Sequence, residues 1–550
     1  MKQFIGNDLP ARPPVSCEVP FRACLPRATS GRHGVVTPTV LLLVALATAA
    51  VTGCTSGPDF EPPDKPDARG YTPEPLVATA SADIAGGTAQ RFVMGADIPG
   101  QWWTLYRNPQ LNALIEEALR ANPSLAAAQA TLRLTQEALY AQQGGLFPQI
   151  NAGASMTKQQ VTPVTSGLSG PPAIYTVSSA SLSISYALDI FGGVRRTVET
   201  QAAQVEYQRF QLEAAYLTLT SNVVTAAINL ASLRAQVAAT EETIRIAAHL
   251  LRLVRSQFDL GGASRVEVLS QETAMEQARS TLPPLQRQLA QQRNQLMALI
   301  GRLPDQDRGE NVDLADLHLP EELPLSLPAA LVEQRPDVRS AQAQLRVASA
   351  NIGVAISNQM PQFNLTGQYG PNAGSEIIAF LGQIIPPTGI AWNLALSILQ
   401  PLLDGGTLEH KKRAAQATFD QEAAKYRSTL LQAFQDVANA LRALQADADA
   451  LRAAAAAERA AAASLALAQQ QYRLGAVVYS DLLNSEKAYR TAVLNRVIAQ
   501  AARYSDTAAL FQALGGGWWN RTDIDPKSQG KPAVFWLPPV QDIRLPAAGR

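Results

Sequence analysis

Apolar residues recur at helical spacing along Leu111, Leu114, Ile115, Ala118 and Leu119, a stripe that predicts a helix stopped before Pro123. A second helix is predicted over residues 124–143, closed by Gly144-Gly145. The period then falls to two. Ile150, Ala152, Ala154 and Met156 alternate with Asn151, Gly153, Ser155 and Thr157. Beyond a Pro/Gly/Ser loop at 163–173, Leu182, Ile184, Tyr186 and Leu188 alternate with Ser181, Ser183, Ser185 and Ala187. These patterns predict strands at about 149–158 and 176–188, each with one apolar and one polar face. The next stretch, 194–260, is free of proline and reads as one helix of about 100 Å. A return helix is predicted over 264–300, interrupted at Pro283-Pro284.

The same order of periods occurs again at a shift of 213 to 214 positions. Ala128-Gln129 recurs as Ala341-Gln342, Pro148-Gln149 as Pro361-Gln362, and Gly192-Gly193 as Gly405-Gly406. Gln257-Phe258-Asp259-Leu260-Gly261 recurs as Gln471-Tyr472-Arg473-Leu474-Gly475. Compositional bias would match at helical multiples without keeping Pro and Gly in register, so the chain is a tandem duplication. Repeat 1 spans 105–320 and repeat 2 spans 321–514, with strands at about 362–370 and 390–399, a loop at 372–388, a long helix at 408–474 and a return helix at 479–514.

Element lengths limit the architecture in two ways. A helix of about 100 Å exceeds any compact globule and belongs in a coiled-coil-like array. Amphipathic strands of about 9 to 11 residues have the length and pattern of transmembrane barrel strands. Four such strands per chain cannot close a barrel, and an open edge in lipid leaves backbone groups unpaired at several kcal/mol each. Chains must therefore associate. Two would give eight strands and a plugged interior; three give twelve, wide enough for an aqueous lumen, so a homotrimer is expected. The expected fold class is mainly α with a membrane β-barrel.

Composition narrows the function classes. Lys+Arg and Asp+Glu balance at 46 each, which provides no field for nucleic acid. The three cysteines, Cys17, Cys24 and Cys54, all lie near the N-terminus, and the four histidines stand far apart, so neither a disulfide framework nor a metal or other cofactor site is expected. Residues 1–53 read as an export signal, with Arg27 and Arg32, an apolar run at 40–47 too short to span a bilayer, and small residues before Cys54. Val51-Thr52-Gly53-Cys54 resembles the lipobox of bacterial lipoproteins, which implies that the Cys54 thiol carries diacylglycerol and its amine an N-acyl chain. Thr55 in place of Asp implies sorting to the outer membrane. Residues 54–104 are expected as a tether and extended segment, and 515–550 as a C-terminal tail.

Several segments together resemble the outer-membrane factors of tripartite efflux, the TolC-like channels, in the lipoprotein branch that serves resistance-nodulation-division pumps. They are Trp102-Trp103 with the Leu111–Leu119 stripe, Glu333-Gln334-Arg335-Pro336-Asp337-Val338-Arg339, Asn351-Ile352-Gly353-Val354-Ala355 leading to Met360-Pro361, and Ala513-Leu514-Gly515-Gly516-Gly517-Trp518. The resemblance covers about residues 54–519. It implies a trimeric barrel in outer-membrane lipid, continued by a periplasmic α-barrel that meets a periplasmic adaptor protein and an inner-membrane transporter. The loops at 163–173 and 372–388 would face outside, and the helix tips at 260–264 and 474–480 would face the pump.

Conduction through such a duct is passive, and no catalytic constellation is present in the sequence, so an enzyme is not expected. The tips are the candidate site for closing the aperture and docking the adaptor, through Asp259, Gly261, Arg265, Glu267, Gly475, Tyr479 and Asp481. Asp259, Arg265, Glu267 and Asp481 place charge beside the glycine breaks and are expected to form or border the polar contacts of the closed aperture. Relatives often carry Leu-Leu-Asp just after the second tip, where this chain has Leu482-Leu483-Asn484. The rival readings are a type I protein-secretion duct of the same fold and a non-conducting envelope coiled coil.

Overall fold

A computed structural model describes residues 56–68, 70–74, 76–161, 171–310, 312–374 and 390–521. The signal segment, Cys54, most of both loops at 163–173 and 372–388, and the tail beyond Arg521 lie outside the described residues.

Each repeat contributes two short helices, two strands and a long helical hairpin. In repeat 1 these are α1 (Pro109–Ala121), α2 (Pro123–Gly144), β2 (Gln149–Val161), β3 (Ala173–Leu188), α3 (Gly193–Asp259) and α4 (Arg265–Leu299). In repeat 2 they are α5 (Pro328–Gln334), α6 (Pro336–Ser357), β5 (Gln362–Gly374), β6 (Ile390–Leu399), α7 (Thr407–Arg473) and α8 (Tyr479–Ala513). Both long helices have 67 residues, each starting and ending one residue before its expected position. Each starts behind a glycine in the left-handed region, Gly192 at φ 74° and Gly406 at φ 83°. The preceding aspartate caps it. Asp189 accepts from the Val194 and Arg195 amides at 2.8 and 2.9 Å, and Asp404 from Gly406 and Leu408 at 2.9 and 2.7 Å. The middle of α3 is apolar enough to cross a membrane, but 67% of that window is buried within the protein.

Three differences from the sequence pattern stand out. Helix α4 is not interrupted at Pro283-Pro284 but runs through both. Both prolines are exposed, so water can solvate the carbonyls they leave unbonded. Strands β2, β3 and β5 extend about three or four residues beyond the expected ends, because the ladder continues where alternation fades. The segment expected to be a tether also contains a strand. There β1 (Arg91–Met94) pairs in parallel with β4 (Glu322–Leu325), and Trp102–Tyr106 forms a 3-10 turn with buried aromatics.

The four long strands form one antiparallel sheet in the order β2-β3-β5-β6, leaving β2 and β6 as its edges. Register sorts the two faces across its whole width. Ile150 stands beside Ile184, Leu182 beside Tyr369, Tyr369 beside Trp392, and Leu365 beside Leu396, all on one face. The other face aligns Asn151 with Ser183, Ser183 with Gln368, and Gln368 with Asn393. On the apolar face Ile150, Trp392 and Leu394 are 66%, 74% and 68% exposed, an arrangement costly in water and suited to lipid. Gly370 marks the one irregular point of the β3–β5 ladder; a Cβ there would lie 2.0 Å from the Ala180 carbonyl.

The principal core lies away from the sheet, midway along the helices. Trp102 stacks on Phe511 with ring centroids 5.3 Å apart, and the Tyr106 hydroxyl donates to the Tyr504 carbonyl at 2.8 Å. Ile228 and Leu230 of α3 belong to one buried cluster with Val437, Leu441 and Leu444 of α7, so both repeats share it. The chain beyond α8 closes over this core. Arg521 lies 3.3 Å over the Tyr216 ring and pairs with Glu213 at 2.8 Å.

Candidate functional site

Both hairpin tips are built on one backbone device. At the first, Gly261 adopts φ +78° and its amide donates to the Phe258 carbonyl at 2.9 Å, while the Gly262 amide donates to Gln257 at 2.7 Å. At the second, Gly475 adopts φ +71°, its amide donates to Tyr472 at 3.0 Å, and the Ala476 amide donates to Gln471 at 2.9 Å. This is the Schellman arrangement, in which a left-handed glycine lets the last free carbonyls find donors. Beside the glycines, Leu260 and Leu474 project outward, 87% and 76% exposed.

The expected site residues divide into two groups. Glu267 completes a capping box, accepting from the Ser264 amide at 2.6 Å, while the Ser264 hydroxyl accepts from the Glu267 amide at 3.2 Å. Asp481 sits in the first turn of α8, where the helix dipole favours its charge. Asp259, Arg265 and Asp481 are exposed, and among the described residues none forms an ion pair within the chain. Tyr479 alone is buried.

Tyr479 leads to two further residues at the tip, Gln271 and Glu486. Its hydroxyl donates to Gln271 Oε1 on α4, and Gln271 Nε2 donates to the Ala247 carbonyl on α3 at 3.1 Å. Glu486 of α8 neighbours Gln271, and burial pushes its carboxyl up. Around this trio pack Leu251, Val254, Val268 and Met275, with the Tyr472 ring edge-on to Tyr479 at 5.9 Å. The second hairpin is thus locked to the first by a buried polar contact in an apolar setting. A sequence signal existed: Gln271 occupies the Val268, Met275, Ala278 stripe, and Glu486 the Tyr479, Leu482 stripe, so each is a polar residue on an apolar face.

Above the tip a groove of about 330 Å³ runs between α3 and α7, lined by Arg245, His249 and Arg252 on one side and Gln469 and Arg473 on the other. Leu250 and Leu482 contribute its apolar lining. Among the described residues no three His, Cys, Asp or Glu side chains converge as metal ligands would.

Comparison with known proteins agrees with this architecture. Residues 114–302 and 327–516 each match the family model of the outer membrane efflux protein, one match per repeat. The chain is 29% identical to the toluene efflux pump outer membrane protein TtgC of Pseudomonas putida, over 88% of this chain and 96% of that protein. It is 27% identical to the cation efflux system protein CusC of Escherichia coli, over 87% and 98%. Among solved structures, the outer-membrane channel OprN superposes with a TM-score of 0.75 at 25% identity, covering 84% of this chain and all of that one. The open state of the Neisseria gonorrhoeae channel MtrE gives 0.72 at 26% identity, over 86% and 100%. The duplicated hairpins, the four-stranded sheet and these matches agree: the chain belongs to the outer membrane efflux protein family and is a TolC-like transport channel of the outer membrane.

Proposed function

We propose that three copies of this chain close a twelve-stranded barrel and form the passive exit duct of a tripartite pump. An inner-membrane resistance-nodulation-division transporter delivers small molecules to it through a periplasmic adaptor. The observation that carries this reading is the sheet: from Ile150 through Ile184 and Leu365 to Trp392 and Leu394 one face is apolar, the other is mainly polar, and both edges, β2 and β6, are open. In lipid those edges need partners, and a second copy supplies them strand for strand. The polar face then lines the lumen, and the long helices extend it by about 100 Å.

Lipidation of Cys54 fits the anchorage of the residues just beyond it. The Ser56 amide donates to the Phe191 carbonyl at 3.1 Å, at the junction of β3 and α3. Buried Arg196 holds the Ser56 and Gly57 carbonyls at 3.1 and 3.2 Å and the Asp59 carboxylate at 2.8 Å. Ser56 is thus held at the sheet's base, and the two residue steps back to Cys54 span at most about 7 Å of extended chain, a reach that suits acyl chains in the inner leaflet.

The tips, with Asp259, Gly261, Arg265, Glu267, Gly475, Tyr479 and Asp481, are the aperture and the adaptor-docking end, held closed at rest. Exposed Asp259, Arg265 and Asp481 are free to engage neighbouring copies, while Tyr479 and Gln271 tie the two hairpins of one copy. Single-channel conductance in planar bilayers tests this. Alanine at Arg265 or Asp481 is expected to raise the resting conductance, and unchanged resting conductance on substitution of all four charged residues would overturn the assignment.

A further inference from the structure

The junction between the two repeats shows how one repeat meets the next. In the sheet β3 pairs with β5, which places Leu182 beside Tyr369, Ser183 beside Gln368 and Ile184 beside Gly367. Next to this ladder α3, which follows β3, packs on α6, which leads into β5. Arg346 of α6 reaches Glu206 of α3 there, at 3.5 Å. The hairpins on either side are alike. Helix α2 packs on α3 as α6 packs on α7, and Gln149 pairs with Ser185 as Gln362 pairs with Leu399. Within the chain one junction of this kind is missing: β2 and β6 are sheet edges, and among the described residues α2 and α7 have no comparable packing on each other.

The elements left without this junction carry counterparts of the residues that build it. Arg133 stands in α2 where Arg346 stands in α6, and Asp420 holds in α7 the place of Glu206 in α3, counted along two helices of 67 residues. Arg133 and Asp420 are exposed, and among the described residues neither forms an ion pair within the chain. Apolar positions show the same contrast. Val347 of α6 is 8% exposed and its counterpart Leu134 is 70% exposed, while Ala203 of α3 is buried and its counterpart Ala417 is exposed. On the sheet, Met156 of β2 and Leu396 and Ile398 of β6 are exposed edge-strand residues of the apolar face.

We infer that each copy joins the next through a junction that repeats β3–β5 and α3–α6 residue for residue, with β6 and α7 of one copy taking β2 and α2 of the next. Resting on the assembly of three copies proposed above, this junction fixes its register. Moving the β3–β5 ladder by one repeat sets Leu396 beside Met156, Ser397 beside Ser155 and Ile398 beside Ala154 of the next copy. The faces then agree, apolar residues meeting apolar ones and serine meeting serine. A slip of one residue would turn every apolar side chain of β2 to the polar face. The same move sets Arg133 of the next copy against Asp420, so the pairing of Arg346 with Glu206 recurs between copies. Because the contact is head-to-tail, identical junctions close into a ring.

Introduced cysteine pairs test the register, since no cysteine lies beyond Cys54. Within one chain Ser155 and Ser397 lie on opposite edges of the sheet, three strand spacings or about 14 Å apart, too far for a disulfide. In the full-length chain purified from membranes, Ser155→Cys with Ser397→Cys is expected to give covalent trimers on mild oxidation. The yield should be about fivefold or more above that of Ser155→Cys with Ala395→Cys, a slip of two residues. Arg133→Glu and Asp420→Arg are each expected to lower the temperature at which the trimer dissociates, and together to restore it. A trimer by mass that links through residue 395 instead, or through neither pair, overturns the register and leaves the assembly standing. A double charge reversal no better than either single one overturns the helix contact in the same way. A monomer by mass overturns the assembly, and the register with it.

Discussion

Asn122 and Arg335 stand 213 positions apart and perform one task with different chemistry. Asn122 Nδ2 donates to the Leu299 carbonyl at the end of α4, at 2.8 Å, and Arg335 Nη1 donates to the Ala513 carbonyl at the end of α8, at 3.0 Å. Each residue also begins a helix, α2 or α6. Asn122 caps α2 directly, whereas Arg335 pairs with Asp337 at 2.7 Å and Asp436 at 3.0 Å. Asn122→Ala is expected to cost about 1–2 kcal/mol, the usual loss of an N-cap. Arg335→Ala should cost about 2–3 kcal/mol, below the full value for a broken buried pair because both carboxylates keep contact with water. Thermal dissociation of the assembly should order the two variants that way.

Two glycine pairs related by the same repeat should respond differently to alanine. Gly301 and Gly515, both at positive φ, sit where a Cβ would come within 2.5 Å of the Ala121 carbonyl oxygen and 2.4 Å of the Gln334 carbonyl oxygen. Gly261 and Gly475 have similar backbones but nothing within 4 Å. Alanine at either tip is expected to cost about 1 kcal/mol of backbone strain. At Gly301 or Gly515 the clash adds to it, and more than about 2 kcal/mol should be lost, read as reduced thermal resistance or failure to assemble.

The buried tip contact makes its own prediction. Tyr479→Phe and Gln271→Leu remove a bond between hairpins while keeping shape, so resting conductance should rise with little change in overall stability. Leakage equal to wild type in both variants would show that the hairpins are held elsewhere.

Glu486 should make that contact depend on pH. Burial raises its carboxyl above the ordinary range, so the stabilisation present in acid is lost as pH rises through the folded-state value. Glu486→Gln is expected to flatten this decline in thermal stability, and an unchanged slope would assign the decline to other groups.

The long helices were legible because 67 residues without proline, bounded by glycines, have few other conformations. Strand ends were less so. Lys158-Gln159-Gln160 has no alternation, but a ladder needs only backbone groups, and β2 continues to Val161. Pro283-Pro284 misled because a helix tolerates lost bonds where the freed carbonyls face water. At the tip, the charged residues drew notice while Gln271 and Glu486 did not. Their partners come from separate hairpins, Tyr479 lying 208 positions from Gln271, and no local spacing signals such a meeting.

The central claim is that open strand edges make this chain one third of a channel. The mass of the detergent-solubilised assembly, corrected for bound detergent, tests it most directly. Three copies of the processed chain, with the added mass of acyl groups on Cys54, is the expected result. A monomer or a dimer that still conducts in planar bilayers would contradict it.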